Sequence, residues 1–162
     1  MSRTVFLIIG PSGSGKTSLT QSLVERVPQL TKGITATTRV PRPGEVSGKD
    51  YHFVTPLQFR ELQREGAFLE TDSAYNESYG VPRSSLEVDG DVALIVTVPG
   101  ALSLQRIIPY TMTLFVLPAS AGTAASRVAD PSRPRSRAWG QGSACISELS
   151  SRWRQSGPFA PV

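Results

Sequence analysis

The chain has 162 residues, which is enough for one ordinary domain and too few for two of typical size. Apolar residues make up 39% and charged residues 19% of it, and these fractions exclude a coiled coil and a charge-driven disordered protein. The formal net charge is +4, all of it supplied by residues 119–162 with six arginines against two acidic residues, so no nucleic-acid-binding patch is expected.

The first predicted elements are a buried strand and an amphipathic helix. The apolar, β-branched run Thr4–Ile9 is typical of a strand covered on both faces, as in a parallel sheet. After a glycine-rich turn, apolar residues at positions 19, 23, 24 and 27 have helical spacing, which Pro28 ends.

Strands and helices then alternate along the chain. Further strands are predicted at 33–38, 50–54, 67–70, 92–98 and 112–117. Helices are predicted from a capping-box pattern at Thr55 up to Gly66, at 84–88 and at 101–107. This alternation predicts an α/β fold with a mainly parallel sheet. After Pro118 no helical or strand period is sustained, and residues 121–162 are interpreted as a divergent, poorly ordered tail.

The residues between the first strand and the first helix fit the phosphate-loop motif G-x-x-x-x-G-K-[ST] in its required context. Glycines let successive backbone N–H groups point inward at phosphate oxygens, and the helix N-terminus adds partial positive charge. The lysine can reach the β- and γ-phosphates, and the hydroxyl that follows it can bind Mg²⁺. The predicted ATP-binding residues are Gly10, Pro11, Ser12, Gly13, Ser14, Gly15, Lys16 and Thr17, with Thr17 as the metal ligand.

A second segment is suited to a phosphate monoester. In TTRVPRPGE (residues 37–45), Arg39 and Arg42 are separated by a rigid proline-containing turn, and guanidinium groups bind such oxyanions bidentately. Tyr51, in GKDYHFV (residues 48–54), can add a hydroxyl. The alternative is that both arginines belong to a solvated surface loop.

With these segments the sequence closely resembles the guanylate kinase family. GPSGSGKT, TTRVPRPGE, GKDYHFV, GAFLE and YGVPR occur in the family's order and spacing between about Arg3 and Ser120. The resemblance implies a three-layer P-loop NTPase-type α/β domain over residues 1–120, with a GMP-binding region inserted at about 34–81. It also implies phosphoryl transfer from ATP to GMP with Mg²⁺.

The resemblance assigns a role to each matching residue. It implies catalytic roles for Lys16, Arg39 and Arg42, and a guanine-reading role for Glu70, whose carboxylate would accept the N1 and N2 donors of the base. The residues implied to hold the GMP phosphate are Thr35, Arg39, Arg42, Tyr51 and Tyr79. The alternatives are an exposed strand-end charge for Glu70 and a half-buried core ring for Tyr79.

The chain departs from the family pattern at three places. Val81 stands where a hydroxyl usually makes a further guanine contact. Residues 95–101 read IVTVPGA where the family has acid-x-Asp-x-x-Gly-Ala, so the carboxylate that helps to position Mg²⁺ is missing. Residues 121–162 lack the expected arginine-rich lid and the last strand and helix, and only Arg127 falls near a lid position.

Three functions follow from these features. The first is a guanylate kinase with ATP and GMP as its partners. The second is a degenerate relative that binds nucleotide or a partner without efficient catalysis, favoured by the missing acids and lid. The third is a kinase acting on a sugar phosphate. The single cysteine, Cys145, fits a reducing compartment, and no signal peptide or membrane span is predicted, so a cytoplasmic location is expected. His52 is interpreted as an ordinary strand residue.

Overall fold

The computed structural model describes residues 3–118 and Ser120. Its elements in chain order are β1 (Val5–Ile9), α1 (Lys16–Arg26), β2 (Leu30–Lys32), β3 (Ala36–Thr37), β4 (His52–Phe53), α2 (Pro56–Arg64), β5 (Phe68–Ala74), β6 (Glu77–Pro82), a 3₁₀ helix (Arg83–Leu86), β7 (Asp91–Ile95), α3 (Val98–Ile107) and β8 (Thr111–Phe115). The predicted tail at 121–162, with Arg127 and Cys145, lies outside the described residues. Within the described part of the chain, no helix is long and apolar enough to cross a bilayer.

Four parallel strands form the first sheet, in the order β2-β7-β1-β8. Successive side chains of β1 point to opposite faces. Leu7 therefore packs in the cluster that contains Leu104 of α3, and Ile8 packs in the cluster that contains Leu23 of α1. Helices on both faces of a parallel sheet make a three-layer α/β fold, as predicted.

The residues between β2 and β7 form a second sheet, in the order β4-β3-β6-β5. β3 and β4 are parallel, whereas β6 runs antiparallel to both β3 and β5. Helix α2 covers one face, where the Phe59 and Phe68 rings stack with centroids 4.7 Å apart. The helix begins at the predicted capping box, in which Thr55 and Gln58 each accept the other's backbone N–H.

Two neighbouring chain segments connect the sheets. One follows β2 at Gly33, where a Cβ atom would lie 2.4 Å from Leu94 Cδ2, so only glycine permits this close approach. The other is the 3₁₀ helix between β6 and β7. The Ser85 hydroxyl donates a 2.6 Å hydrogen bond to the Ile34 carbonyl oxygen and holds the two connections together.

Two strand predictions are wrong because the chain changes sheets or turns back. Of the predicted strand at 33–38 only Ala36–Thr37 is extended, as β3 of the second sheet, and β2 of the first sheet ends before it at Lys32. The short strand predicted at 67–70 continues to Ala74 and returns as β6 through Tyr75 and Asn76. Their φ values of 57° and 61° suit a two-residue type I′ hairpin turn.

The strand predicted at 92–98 is shorter because a helix begins within it. β7 ends at Ile95, and Thr97 caps α3 by accepting a 3.1 Å hydrogen bond from the Gly100 N–H. Helix α3 therefore begins at Val98 rather than at the predicted residue 101. The remaining predicted elements are present with ends shifted by about three residues or fewer, within the usual disagreement over element boundaries.

Candidate active site

The phosphate loop connects β1 to α1 at the carboxyl edge of the first sheet. Gly15, which precedes α1, has a left-handed φ of 96°, and Gly10 lies so near β8 that a Cβ would stand 2.3 Å from the Val116 carbonyl oxygen. Within this loop the Ser14 hydroxyl is buried and makes no hydrogen bond to any described residue. A buried oxygen without a partner, beside the N–H groups of a helix N-terminus, fits a cradle for an external polar group such as a phosphate.

The side chain of Lys16, at the end of this loop, is hydrogen-bonded to the loop's first residues. Its Nζ donates hydrogen bonds of 2.8 and 2.9 Å to the carbonyl oxygens of Gly10 and Pro11. Burial, and then the positive charge of Arg42, lower the pKa of Lys16 from 10.5 to about 8. The ammonium group is thus held at the loop in a poorly solvated position, where its interaction with an anion is strong. Arg42 belongs to TTRVPRPGE (residues 37–45), here called the arginine segment, so the charge of this segment acts on the phosphate loop.

Thr17 is the residue of this loop that was predicted to bind a metal ion. Thr17 lies in the first turn of α1 with its side chain exposed. The described residues contain no group of three or more His, Cys, Asp or Glu side chains that could hold a metal ion.

The arginine segment is organised by Glu45. Its Oε1 accepts a 2.9 Å hydrogen bond from the Arg39 guanidinium and its Oε2 accepts a 2.7 Å bond from the Arg42 backbone N–H. The Arg39 guanidinium also lies over the rings of Tyr51 and Phe53, 5.4 and 5.6 Å from their centroids. Arg39 is therefore held in place, and its half-buried position differs from the solvated loop that was the alternative.

Four of the residues predicted to hold a phosphate lie close together. Burial raises the pKa of the Tyr51 hydroxyl, and the charges of Arg39 and Arg42 oppose that rise, with a further contribution from Tyr79. Thr35 is buried next to this group, and its carbonyl oxygen accepts the backbone N–H of His52, which lies in β4. Cationic and hydroxyl groups at one place can bind a phosphate monoester.

Glu70 lies on β5 near the start of α3. The register shift between Phe68 and Glu70 inserts one residue, Leu69, which packs into the α3 side of the core. Glu70 then faces the same side, where its Oε2 would be 2.9 Å from a Cβ placed on Gly100. Burial, and then the charge of Asp72, raise the pKa of Glu70 from 4.5 to about 7. No described residue donates a hydrogen bond to this carboxylate, which is therefore available to a ligand.

Sequence reasoning missed Glu45 and Asp72. Glu45 could have been found, since it follows Arg42 by three residues in a turn, where a carboxylate readily accepts backbone N–H groups. Asp72 lies two residues after Glu70 on the same side of β5, and its Oδ2 accepts a 2.6 Å hydrogen bond from the Thr97 hydroxyl. That contact joins the second sheet to the start of α3, and no pattern of neighbouring residues indicates it.

A family model described as guanylate kinase matches residues 1–146 of the chain. This chain belongs to the guanylate kinase family. The match continues past Ser120, where the resemblance of the individual motifs ended. The site residues named above all lie within the matched range.

Individual guanylate kinases agree with this membership. A guanylate kinase of Nostoc sp. is 39% identical over 124 residues, which are 74% of this chain and 62% of the relative. One of Caldanaerobacter subterraneus is 39% identical over 120 residues, or 72% and 58% of the two chains. The chain thus spans about six-tenths of the length of these curated relatives. The crystal structure of guanylate kinase from Anaplasma phagocytophilum matches with a TM-score of 0.70 at 24% identity, covering 92% of this chain and 73% of that one, and supports the fold.

Proposed function

We propose that this guanylate kinase family member transfers a phosphoryl group from ATP to GMP, giving ADP and GDP. The observation that supports this best is the juxtaposition of two anion-binding elements. Arg42, in the arginine segment, lies close enough to Lys16 of the phosphate loop for its charge to lower the Lys16 pKa. Two cationic groups that act on each other electrostatically suit a reaction between two phosphorylated substrates.

In this proposal the phosphate loop, residues 10–17, binds the donor. Its N–H groups and Lys16 would hold the β- and γ-phosphates, and the Ser14 hydroxyl would gain the partner it lacks. ATP would enter as its magnesium complex, with Thr17 as the protein ligand, because phosphate oxygens and water supply most Mg²⁺ ligands at such sites. Neutralising phosphate charge is the contribution of the bound ion.

The inserted region, about residues 34–81 within a domain of residues 1–120, would bind the acceptor. We assign the GMP phosphate to Arg39, Arg42, Thr35, Tyr51 and Tyr79, and the guanine edge to the free carboxylate of Glu70. Val81 is packed in the core, so it adds no polar contact to the base.

The proposed reaction is a direct in-line displacement. An oxygen of the GMP phosphate attacks the γ-phosphorus of ATP, the bond from that phosphorus to the β–γ bridging oxygen breaks, and ADP leaves with the electron pair. Lys16, Arg39 and Arg42 would act by positioning the two anions and offsetting their repulsion, without a covalent intermediate. The proposed location is the cytoplasm, where one unpaired cysteine suits the reducing conditions.

A coupled assay of ADP release tests this proposal, using MgATP with GMP, AMP or ribose 5-phosphate as acceptor. We expect ADP release that depends on GMP. Release with ribose 5-phosphate alone would make the protein a sugar phosphate kinase instead. GMP binding without ADP release would indicate the degenerate binding protein.

Arg42→Lys is expected to raise KM for GMP about tenfold, because lysine keeps the charge but lacks the two-pronged guanidinium. The measurement is steady-state kinetics at saturating ATP. Arg64→Lys, an exposed change in the last turn of α2, is the matched control. An unchanged KM in the Arg42 variant would return this residue to the surface-loop interpretation.

Glu45→Gln is expected to raise KM for GMP by about tenfold with a smaller change in kcat, because Arg39 and Arg42 bond to different oxygens of Glu45 and the amide replaces one of them with an NH₂ group. Glu45→Asp, which keeps both acceptors, should recover part of the affinity. A Gln variant that loses thermal stability but keeps its KM would show that Glu45 only holds the fold.

A further inference from the structure

The carboxylates of Glu70 and Asp72 form a pair at the start of α3. Both residues face that helix from β5. The inserted residue, Leu69, leaves Glu70 on the α3 side of the sheet, and Asp72, two positions later, lies on the same side. Between them Thr71 points the other way, where its hydroxyl accepts a 3.1 Å hydrogen bond from Gln63 of α2. Asp72 is close enough to Glu70 to act on it electrostatically.

Asp72 is anchored but retains accepting capacity. Its Oδ2 accepts the 2.6 Å bond from the Thr97 hydroxyl, and its Oδ1 accepts a 2.8 Å bond from the Ser73 N–H. A carboxylate oxygen can accept two hydrogen bonds, so each oxygen can still accept one more. Glu70 has both oxygens available.

Asp72 also lies between the two parts of the proposed acceptor site. In the β5–β6 ladder it is directly opposite Tyr79, one of the residues assigned to the phosphate, while Glu70, two positions away, is opposite Val81. Directly opposed residues of an antiparallel pair lie on one face of the sheet. The carboxylate pair therefore belongs with the acceptor, whereas the charged neighbour that acts on Lys16 is Arg42.

The residue that Asp72 contacts, Thr97, occupies a defined position of the family pattern. In the segment IVTVPGA, Thr97 stands at the aspartate position of the family pattern acid-x-Asp-x-x-Gly-Ala. One hydrogen bond separates the Asp72 carboxylate from the side chain at that position. Asp72 of β5 thus brings a carboxylate next to the position where the family pattern has an aspartate.

We propose that Asp72 is a specificity-determining residue of the acceptor site, which together with Glu70 selects a purine that has a 2-amino group. The inference rests on the proposed function. A 2-aminopurine with a 6-oxo group offers its ring N1–H and two amino hydrogens along one edge. Glu70 would accept the N1–H and one amino hydrogen, and Asp72 the other. An acceptor left unpaired in a half-buried site is costly, so a purine without the amino group binds more weakly.

The test compares GMP with IMP, which differ only in the 2-amino group. Binding of each to the full chain is measured by calorimetry for the wild type, Asp72→Asn, Asp72→Ala/Thr97→Asp, and Glu61→Gln as a control that removes one exposed charge. We expect Asp72→Asn to weaken GMP about tenfold and IMP less than twofold. The double variant moves the acid across the hydrogen bond, and it should recover much of the preference for GMP.

The possible results separate this inference from the proposed function. Wild-type binding of GMP with no preference over IMP, or a preference that Asp72→Asn leaves intact, overturns the role of Asp72 and leaves the kinase assignment standing. A wild type that binds neither nucleotide overturns both. If Asp72→Asn does not fold, the double variant decides the matter, since a folded form without preference for GMP contradicts the proposal.

Discussion

Lys16→Met is expected to lower kcat for ADP release about 10²- to 10³-fold, the usual cost of removing one preorganised donor from a site where charge develops. Lys16 is held at the loop by the carbonyl oxygens of Gly10 and Pro11. An incoming phosphate would replace those carbonyls as the partner of a poorly solvated ammonium group. Methionine keeps the length of the side chain and removes the charge.

The thermal stability of the Lys16→Met variant should not fall as its kcat does. Because the pKa of Lys16 is lowered in the folded protein to about 8, its charged form opposes folding below that pH, and this cost disappears as the pH rises through the ordinary value of 10.5. The Met variant should therefore unfold at or above the wild-type temperature at pH 7. Lys49→Met, at an exposed lysine, is the control. Equal losses of kcat in the two variants would contradict a specific role for Lys16.

Glu70→Ala is expected to weaken GMP binding by about 1.5–3 kcal/mol, or roughly 10- to 150-fold, with ATP binding nearly unchanged. Hydrogen bonds to a charged acceptor have this value, and no described residue competes for the Glu70 carboxylate. Calorimetric titration with each nucleotide gives the two affinities. Equal losses for both nucleotides would indicate general disruption of the fold.

The raised pKa of Glu70 predicts that the affinity for GMP depends on pH. With its pKa raised to about 7, Glu70 is mostly protonated at pH 6 and mostly ionised at pH 8, and only the ionised form accepts two donors. Ionisation of Glu70 should therefore raise GMP affinity up to about tenfold over this range, in addition to any effect of the GMP phosphate itself. In Glu70→Gln only about a twofold rise should remain, from the second ionisation of the GMP phosphate near pH 6. A full tenfold rise in that variant would contradict the assignment.

Folding stability has the opposite dependence. A neutral Glu70 carboxyl is favoured in the folded protein, so its contribution to stability is complete below about pH 4.5 and is lost as the pH rises through about 7. Glu70→Gln should remove this slope from a series of unfolding temperatures between pH 5 and 8. Binding and stability thus place conflicting demands on one side chain, as is common for ligand-binding groups.

The sequence was sufficient wherever a feature depends on neighbouring residues. The phosphate loop, the capping box at Thr55 and the buried strand β1 each arise from a few adjacent positions, and each was predicted. Glu45 belongs to the same class, although it was overlooked. Its two contacts reach only three and six residues back along the chain.

The remaining features depend on register and on chain crossings. The hairpin of β5 and β6 is polar enough to hide its alternation, and the register shift beyond Phe68 decides which of its side chains face α3. Asp72 meets Thr97 across 25 residues of sequence, from a different sheet. No pattern in one sequence reports such a meeting, because it exists only once both sheets are placed.

The hydrogen bond from Ser85 to the Ile34 carbonyl has a mechanical consequence. It links the two chain segments that connect the second sheet to the first. These two connections are therefore expected to move together. A rotation about these connections would move the second sheet as a unit, and the separation of Arg42 from Lys16 would then change together with that of Asp72 from Thr97. The distance between the two phosphate-binding elements and the position of the residues proposed to bind the base would therefore both depend on the same rotation angle.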